Sequence, residues 1–112
     1  MSHLGPSSKI VGAEISLVPV VRGKVSMSDE IAIAFLAIKK TKGLKVTLTG
    51  MGTQVESSNL KCILTAVEAA HEAVGKVGAY RIITTIRIDQ RFDKIHTLKD
   101  RVQNVKGKLY GH

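Results

Sequence analysis

Two stretches constrain this chain more than any others. AEISLVPV (Ala13–Val20) and RIITTIRIDQR (Arg81–Arg91) both alternate side chains with period two. Such alternation belongs to β-strands. In the first, Glu14 and Ser16 stand opposite Ala13, Ile15 and Leu17. In the second, Arg81, Thr85, Arg87 and Asp89 stand opposite Ile82, Thr84, Ile86 and Ile88. The sheet they build has an apolar face for a core and a polar, charged face. The polar face is open to a ligand or a second subunit, so function is expected there.

The rest of the chain supplies partners for these strands. After a strand over 10–20, the loop RGKVSMS is broken by Gly23, with Ser26 or Ser28 as candidate N-caps. Asp29 and Glu30 suit the first turn of a helix whose stripe is Ile31, Ala34, Phe35 and Ile38. Gly43 is expected to end it at the C′ position. LKVTLTG reads as a second strand, Gly50-Met51-Gly52 as a tight turn and TQVE as a third strand. SSN caps a second helix with the stripe Leu60, Ile63, Leu64, Val67, Ala70 or His71, and Val74. Gly75 and Gly78 punctuate its end. The fourth strand follows, and an amphipathic segment over 98–105 predicts a short helix that packs on a neighbour.

The order is β-α-β-β-α-β with a C-terminal addition. The expected fold is α+β: a ferredoxin-like βαββαβ sandwich, an antiparallel sheet with two helices on one face plus a short C-terminal helix. Right-handed crossovers put both helices on one side. The other face would carry Glu14, Ser16, Lys45, Thr47, Gln54, Glu56, Arg81, Thr85, Arg87 and Asp89. At 112 residues the chain suits one domain, expected over 10–112 after a flexible leader over 1–9.

No apolar run approaches the roughly 20 residues of a membrane span, and MSHLGPSSK lacks the apolar core of a secretory signal. Cys62 is the single cysteine, which excludes an internal disulfide and fits a reducing cytoplasm. Net charge is +8, which raises the question of nucleic acid. Lys39, Lys40 and Lys42 close a helix, however, where cations suit the dipole. RNA-recognition domains of this fold stack bases on aromatics of the central strands. Phe35, Phe92, Tyr80 and Tyr110 all fall outside mid-strand positions, so no nucleic-acid partner is expected.

Other motifs carry little chemistry. GMGT lacks the third glycine and the following helix of a dinucleotide loop. His71-Glu72 lacks the second histidine of a metalloprotease helix, since position 75 is Gly75. His71 reads as a partly buried or interface histidine, Cys62 as an inert thiol, and no metal is expected. Glu14, Glu56 and Asp89 can meet on the open face, where cross-strand pairing with Arg81, Arg87 or Lys45 competes with acid–base work.

AEISLVPV, TGMGTQVE, AVEAAHEAV and RIITTIRIDQRFDK, in this order, resemble the small thiamine-binding protein family, long an uncharacterised family. The family is related to a bacterial protein that binds thiamine and its hydroxymethylpyrimidine portion. The resemblance spans about residues 11–105. It implies a cytoplasmic ferredoxin-like protomer that pairs through its sheets, as a dimer or tetramer, and binds thiamine or its pyrimidine precursor without established catalysis or a resident cofactor. Relatives commonly have Pro before Met-Gly-Thr, where this chain has Gly50, and a second acid after Ile-Asp, where it has Gln90.

For such a ligand, Glu14, Glu56 and Asp89 would offset the thiazolium charge or accept from the amino group. Ser16, Thr53, Thr84 and Thr85 would orient the ring. Met51 would pack on an aromatic face beside Gly52. The ligand is expected near the Met51-Gly52-Thr53 turn and the polar positions of strands one and four. The enzymatic alternative is an acylphosphatase-like hydrolase using Arg22 and Gly23 as an anion cradle. It lacks a strand asparagine to orient water. The third alternative is a regulatory or assembly module without a small ligand.

Overall fold

Strand β1 (Val11–Val20) runs through the centre of a four-stranded sheet. Its flanks pair antiparallel with β3 (Gly52–Ser57) and β4 (Arg81–Gln90), and β2 (Lys45–Thr49) closes the far side of β3. The strand order β2-β3-β1-β4, with helices α1 (Ser28–Lys40) and α2 (Leu60–Lys76) as the two crossovers, is that of the ferredoxin-like sandwich. The structure is a computed structural model and describes residues 10–110. The leader expected over 1–9 lies outside them.

The alternation of β1 sets the two faces. Val11, Ala13 and Ile15 are buried with Val55 of β3 against Ala34 and Ile38 of α1 and Ile63, Ala66, Ala70 and Val74 of α2. Leu17, Val46, Ile82 and Ile86 extend this core. A fully buried aliphatic side chain contributes about 1.5–3 kcal/mol, so this layer fixes the register. A slip of one residue would turn Glu14 into the core.

Several local expectations are corrected. Helix α1 has Met27 as N-cap with no side-chain cap, because Ser26 lies one residue before that position and Ser28 is already the first helical residue. Its buried row is Glu30, Ala34 and Ile38, while Ile31 is exposed. The row shifts because Lys24 Nζ meets Glu30 Oε2 at 2.8 Å and lets that carboxylate tuck against the core edge. The Lys24 ammonium, with a backbone N–H of Glu30 itself, holds this carboxyl below its ordinary pKa. Gly43 comes one residue later than C′, since Thr41 is the C-cap. Its φ of 84° turns the chain into β2. Asn59 caps α2 as expected, accepting from the Cys62 N–H at 2.9 Å.

The C-terminal helix α3 (Leu98–Leu109) runs longer than its sequence pattern suggests. A capping box starts it: Thr97 Oγ1 accepts from the Asp100 N–H at 3.0 Å, and Asp100 Oδ2 accepts from the Thr97 N–H at 2.9 Å. Those bonds, the Thr97 N–H foremost, hold the Asp100 carboxyl below its ordinary pKa.

Candidate functional site

The first turn of α3 reaches the open face of the sheet. Leu98 lies over Gly12, where an added Cβ would come within 3.1 Å of Leu98 Cδ2. The Leu98 N–H donates to Glu56 Oε2 at 2.8 Å. Arg101 Nη1 donates to Asp89 Oδ2 at 2.8 Å. Lys45 approaches the other oxygen of Glu56 at 3.9 Å. Two carboxylates of the sheet thus tie down the helix.

Between α3 and the strands lies a cleft of about 490 Å³, lined by Gly12, Ala13, Glu14, Gln54, Arg87, Ile88, Asp89, Leu98, Arg101 and Val102. Its volume falls within the range of small-molecule sites. One cross-strand row supplies most of its polar chemistry: Thr47 faces Gln54, Gln54 faces Glu14, and Glu14 faces Arg87. The row presents a hydroxyl, an amide, a carboxylate and a guanidinium in sequence across all four strands. The carboxylate accepts, the guanidinium donates and the amide does both.

The expected site residues divide between the two faces. Glu14 and Asp89 line the cleft. Ser16 and Thr85 are register partners on the same face, one row along from Glu14 and Arg87. Gly52 lies under that row: a Cβ there would stand 2.7 Å from the Ile15 carbonyl oxygen and 3.6 Å from Glu14 Cγ. Met51 is exposed at the β2–β3 hairpin tip, beyond the residues that line the cleft.

Thr53 and Thr84 require correction. Thr53 is buried under the helices. Thr84 Oγ1 lies 2.7 Å from His71 Nε2 of α2. Both hydroxyls alternate with the open face and so point away from it. Conversely, Gln54, Arg87, Gly12, Leu98 and Arg101 line the cleft without having been assigned to a site. The open-face phase of Gln54 and Arg87 was the signal that marked them.

In the loop before α1, the Arg22 guanidinium sits 4.9 Å over the Tyr80 ring. Asp29 and Glu30 put negative charge in the first turn of α1, where an anion cradle would need positive potential. Among the described residues, no three His, Cys, Asp or Glu side chains gather into a metal-binding group, and no helix is long and apolar enough to cross a membrane.

The pattern of the family described as Thiamine-binding protein matches residues 13–106, from near the start of β1 into α3. The chain belongs to the thiamine-binding protein family. A UPF0045 protein of Methanothermobacter thermautotrophicus is 38% identical over 100 residues, covering 89% of this chain and 100% of that relative. The UPF0045 protein YqgV of Bacillus subtilis is 31% identical, covering 87% and 95%. The crystal structure of a hypothetical protein from Methanocaldococcus jannascii matches with a TM-score of 0.77 at 33% identity, covering 87% of this chain and 96% of that one. A Thermotoga maritima protein provisionally assigned to thiamine biosynthesis or salvage shares the fold, with a TM-score of 0.71 at 22% identity, covering 86% and 98%.

The two positions where the resemblance implies a different residue, Gly50 and Gln90, are not among the residues that line the cleft. Gly50 is in the hairpin turn, where Thr49 Oγ1 donates to the Gly52 carbonyl at 2.8 Å. Its φ is not positive, and a Cβ there would meet nothing within 4 Å. Gln90 pairs with Val11 and alternates to the helix side, opposite Asp89.

Proposed function

We propose that this chain binds thiamine or its hydroxymethylpyrimidine precursor in the cleft between α3 and the open sheet face, without catalysing a reaction. The observation that carries this reading is Glu14, flanked across the strands by Gln54 and Arg87 on the floor of that cleft. An aminopyrimidine offers an exocyclic amino donor beside accepting ring nitrogens. A carboxylate next to a carboxamide matches that edge. The thiazolium cation of thiamine meets the negative side of the same row. Family membership supports the ligand class.

The protein acts as a cytoplasmic homo-oligomer in this reading. Val18 and Ile83 are register partners on the open face and remain exposed in the single chain. Val102, Val105 and Leu109 add an exposed apolar stripe on α3. Association through the sheet would cover them. Sedimentation at micromolar concentration in moderate salt is expected to show a dimer or tetramer, and a monomer would refute the assembly.

Calorimetry with thiamine and hydroxymethylpyrimidine tests the ligand. Binding tighter than about millimolar, roughly 4 kcal/mol, is expected for at least one of them. Absence of binding by both would end the proposal.

A further inference from the structure

We infer that the preferred ligand of the cleft is phosphorylated, with Arg87 receiving its phosphate while Glu14 receives the amino or cationic end. The inference rests on the thiamine reading and specifies which form of the ligand the cleft selects.

Four charged side chains line the cleft, and they are not equivalent. Asp89 and Arg101 satisfy each other at 2.8 Å. Glu14 and Arg87 are also neighbours, as register partners on the same face of β1 and β4. Yet neither makes an ion pair within 4.0 Å among the described residues, with each other or with any third group. The cleft therefore offers one uncommitted carboxylate and one uncommitted guanidinium side by side. A ligand with charge of one sign would meet one of them and leave the other facing it unmatched.

A ligand with a donor or cationic ring at one end and a phosphate at the other engages both. A guanidinium is suited to the phosphate because its fork matches two phosphate oxygens at once. Asp89 holds Arg101 at 2.8 Å, which keeps that arginine from capturing Glu14. Thiamine monophosphate has this distribution of charge, and so does phosphorylated hydroxymethylpyrimidine.

The test compares thiamine with thiamine monophosphate by calorimetry on the full chain in moderate salt. Wild type is expected to bind the monophosphate about tenfold more tightly, the effect of one charge-assisted contact. In Arg87→Gln this preference should vanish, so that the two compounds bind within about twofold of each other. Arg87→Lys should retain part of it. Lys39→Gln, an exposed charge on α1, should leave it intact. Equal affinity for the two compounds in wild type would overturn the inference and leave the thiamine reading standing. A preference that persists in Arg87→Gln, or falls equally in Lys39→Gln, would overturn it in favour of the general positive charge. Failure of wild type to bind either compound would overturn the inference, and failure to bind hydroxymethylpyrimidine as well would end the thiamine reading.

Discussion

Leu98 sits directly over Gly12, so the absent side chain near the start of β1 is what lets α3 approach the sheet. A large side chain at position 12 would occupy the space of Leu98 and the adjoining cleft. Gly12→Phe is expected to detach α3 while leaving the sheet paired, because position 12 faces away from the helical core. Amide exchange should show protection in α3 falling about tenfold or more, as overpacking of 1–3 kcal/mol implies. Protection in β1 and β4 should be largely kept. Unchanged protection in α3 would show that Leu98 is not its anchor.

Gly52 and Gly50 are separated by one residue and should respond in opposite ways. A Cβ at Gly52 would lie 2.7 Å from the Ile15 carbonyl oxygen, a backbone atom that cannot swing aside. Gly52→Ala is expected to cost about 2 kcal/mol or more in urea unfolding. Gly50→Pro introduces the residue that the family resemblance implies, at a position with free space and no left-handed φ. It is expected to stabilise by about 0.4–1 kcal/mol through the unfolded chain. A loss at Gly50 equal to that at Gly52 would contradict this description of the turn.

The fold was largely legible because alternation in β1 and β4 assigns a face to each residue without knowledge of the partner strand. The same alternation placed Thr84 with Ile82 and Ile86, on the covered side. Its hydroxyl nevertheless suggested a ligand role, because its partner His71 is on another element and invisible in a local pattern. Thr53 likewise alternates to the covered side, where it is buried. The helical spacing of Leu98, Val102 and Val105 was readable, but where the helix lands depends on contacts such as Leu98 with Glu56, 42 residues away. No local signal reports such a contact, so the cleft it walls could not be drawn from sequence.

The Lys24–Glu30 pair gives an acid-side signature. Hydrogen bonding from Lys24 lowers the folded pKa of Glu30 below its ordinary 4.5. Its contribution to stability is therefore fully present above 4.5 and is lost as pH falls through the lower folded value. The Lys24 ammonium is shifted upward from 10.5 by the same bond, so its share persists below 10.5 and fades only as pH rises through the raised value. Glu30→Gln should flatten the acid limb in urea unfolding from about pH 7 to about pH 3. Parallel curves for the two proteins would show that the pair carries no pH-dependent stability.

Thr84→Val removes the hydroxyl that meets His71 and keeps the shape of the side chain. It is expected to lower stability by about 1 kcal/mol and to leave thiamine affinity within about twofold of wild type. Thermal unfolding and calorimetry on the same sample separate the two effects. A tenfold loss of affinity (about 1.4 kcal/mol) with stability retained would return Thr84 to the site.

The central claim is that a small ligand occupies the cleft between α3 and the polar sheet face. Amide chemical shifts recorded through a titration with thiamine test it most directly. Saturating shifts are expected at Gly12, Glu14, Gln54, Arg87 and Asp89 and in the first turn of α3, and they should be lost or weakened at least about tenfold in Glu14→Gln. Shifts confined to the Met51 hairpin or to the Arg22–Gly23 loop, with the cleft residues unmoved, would contradict it.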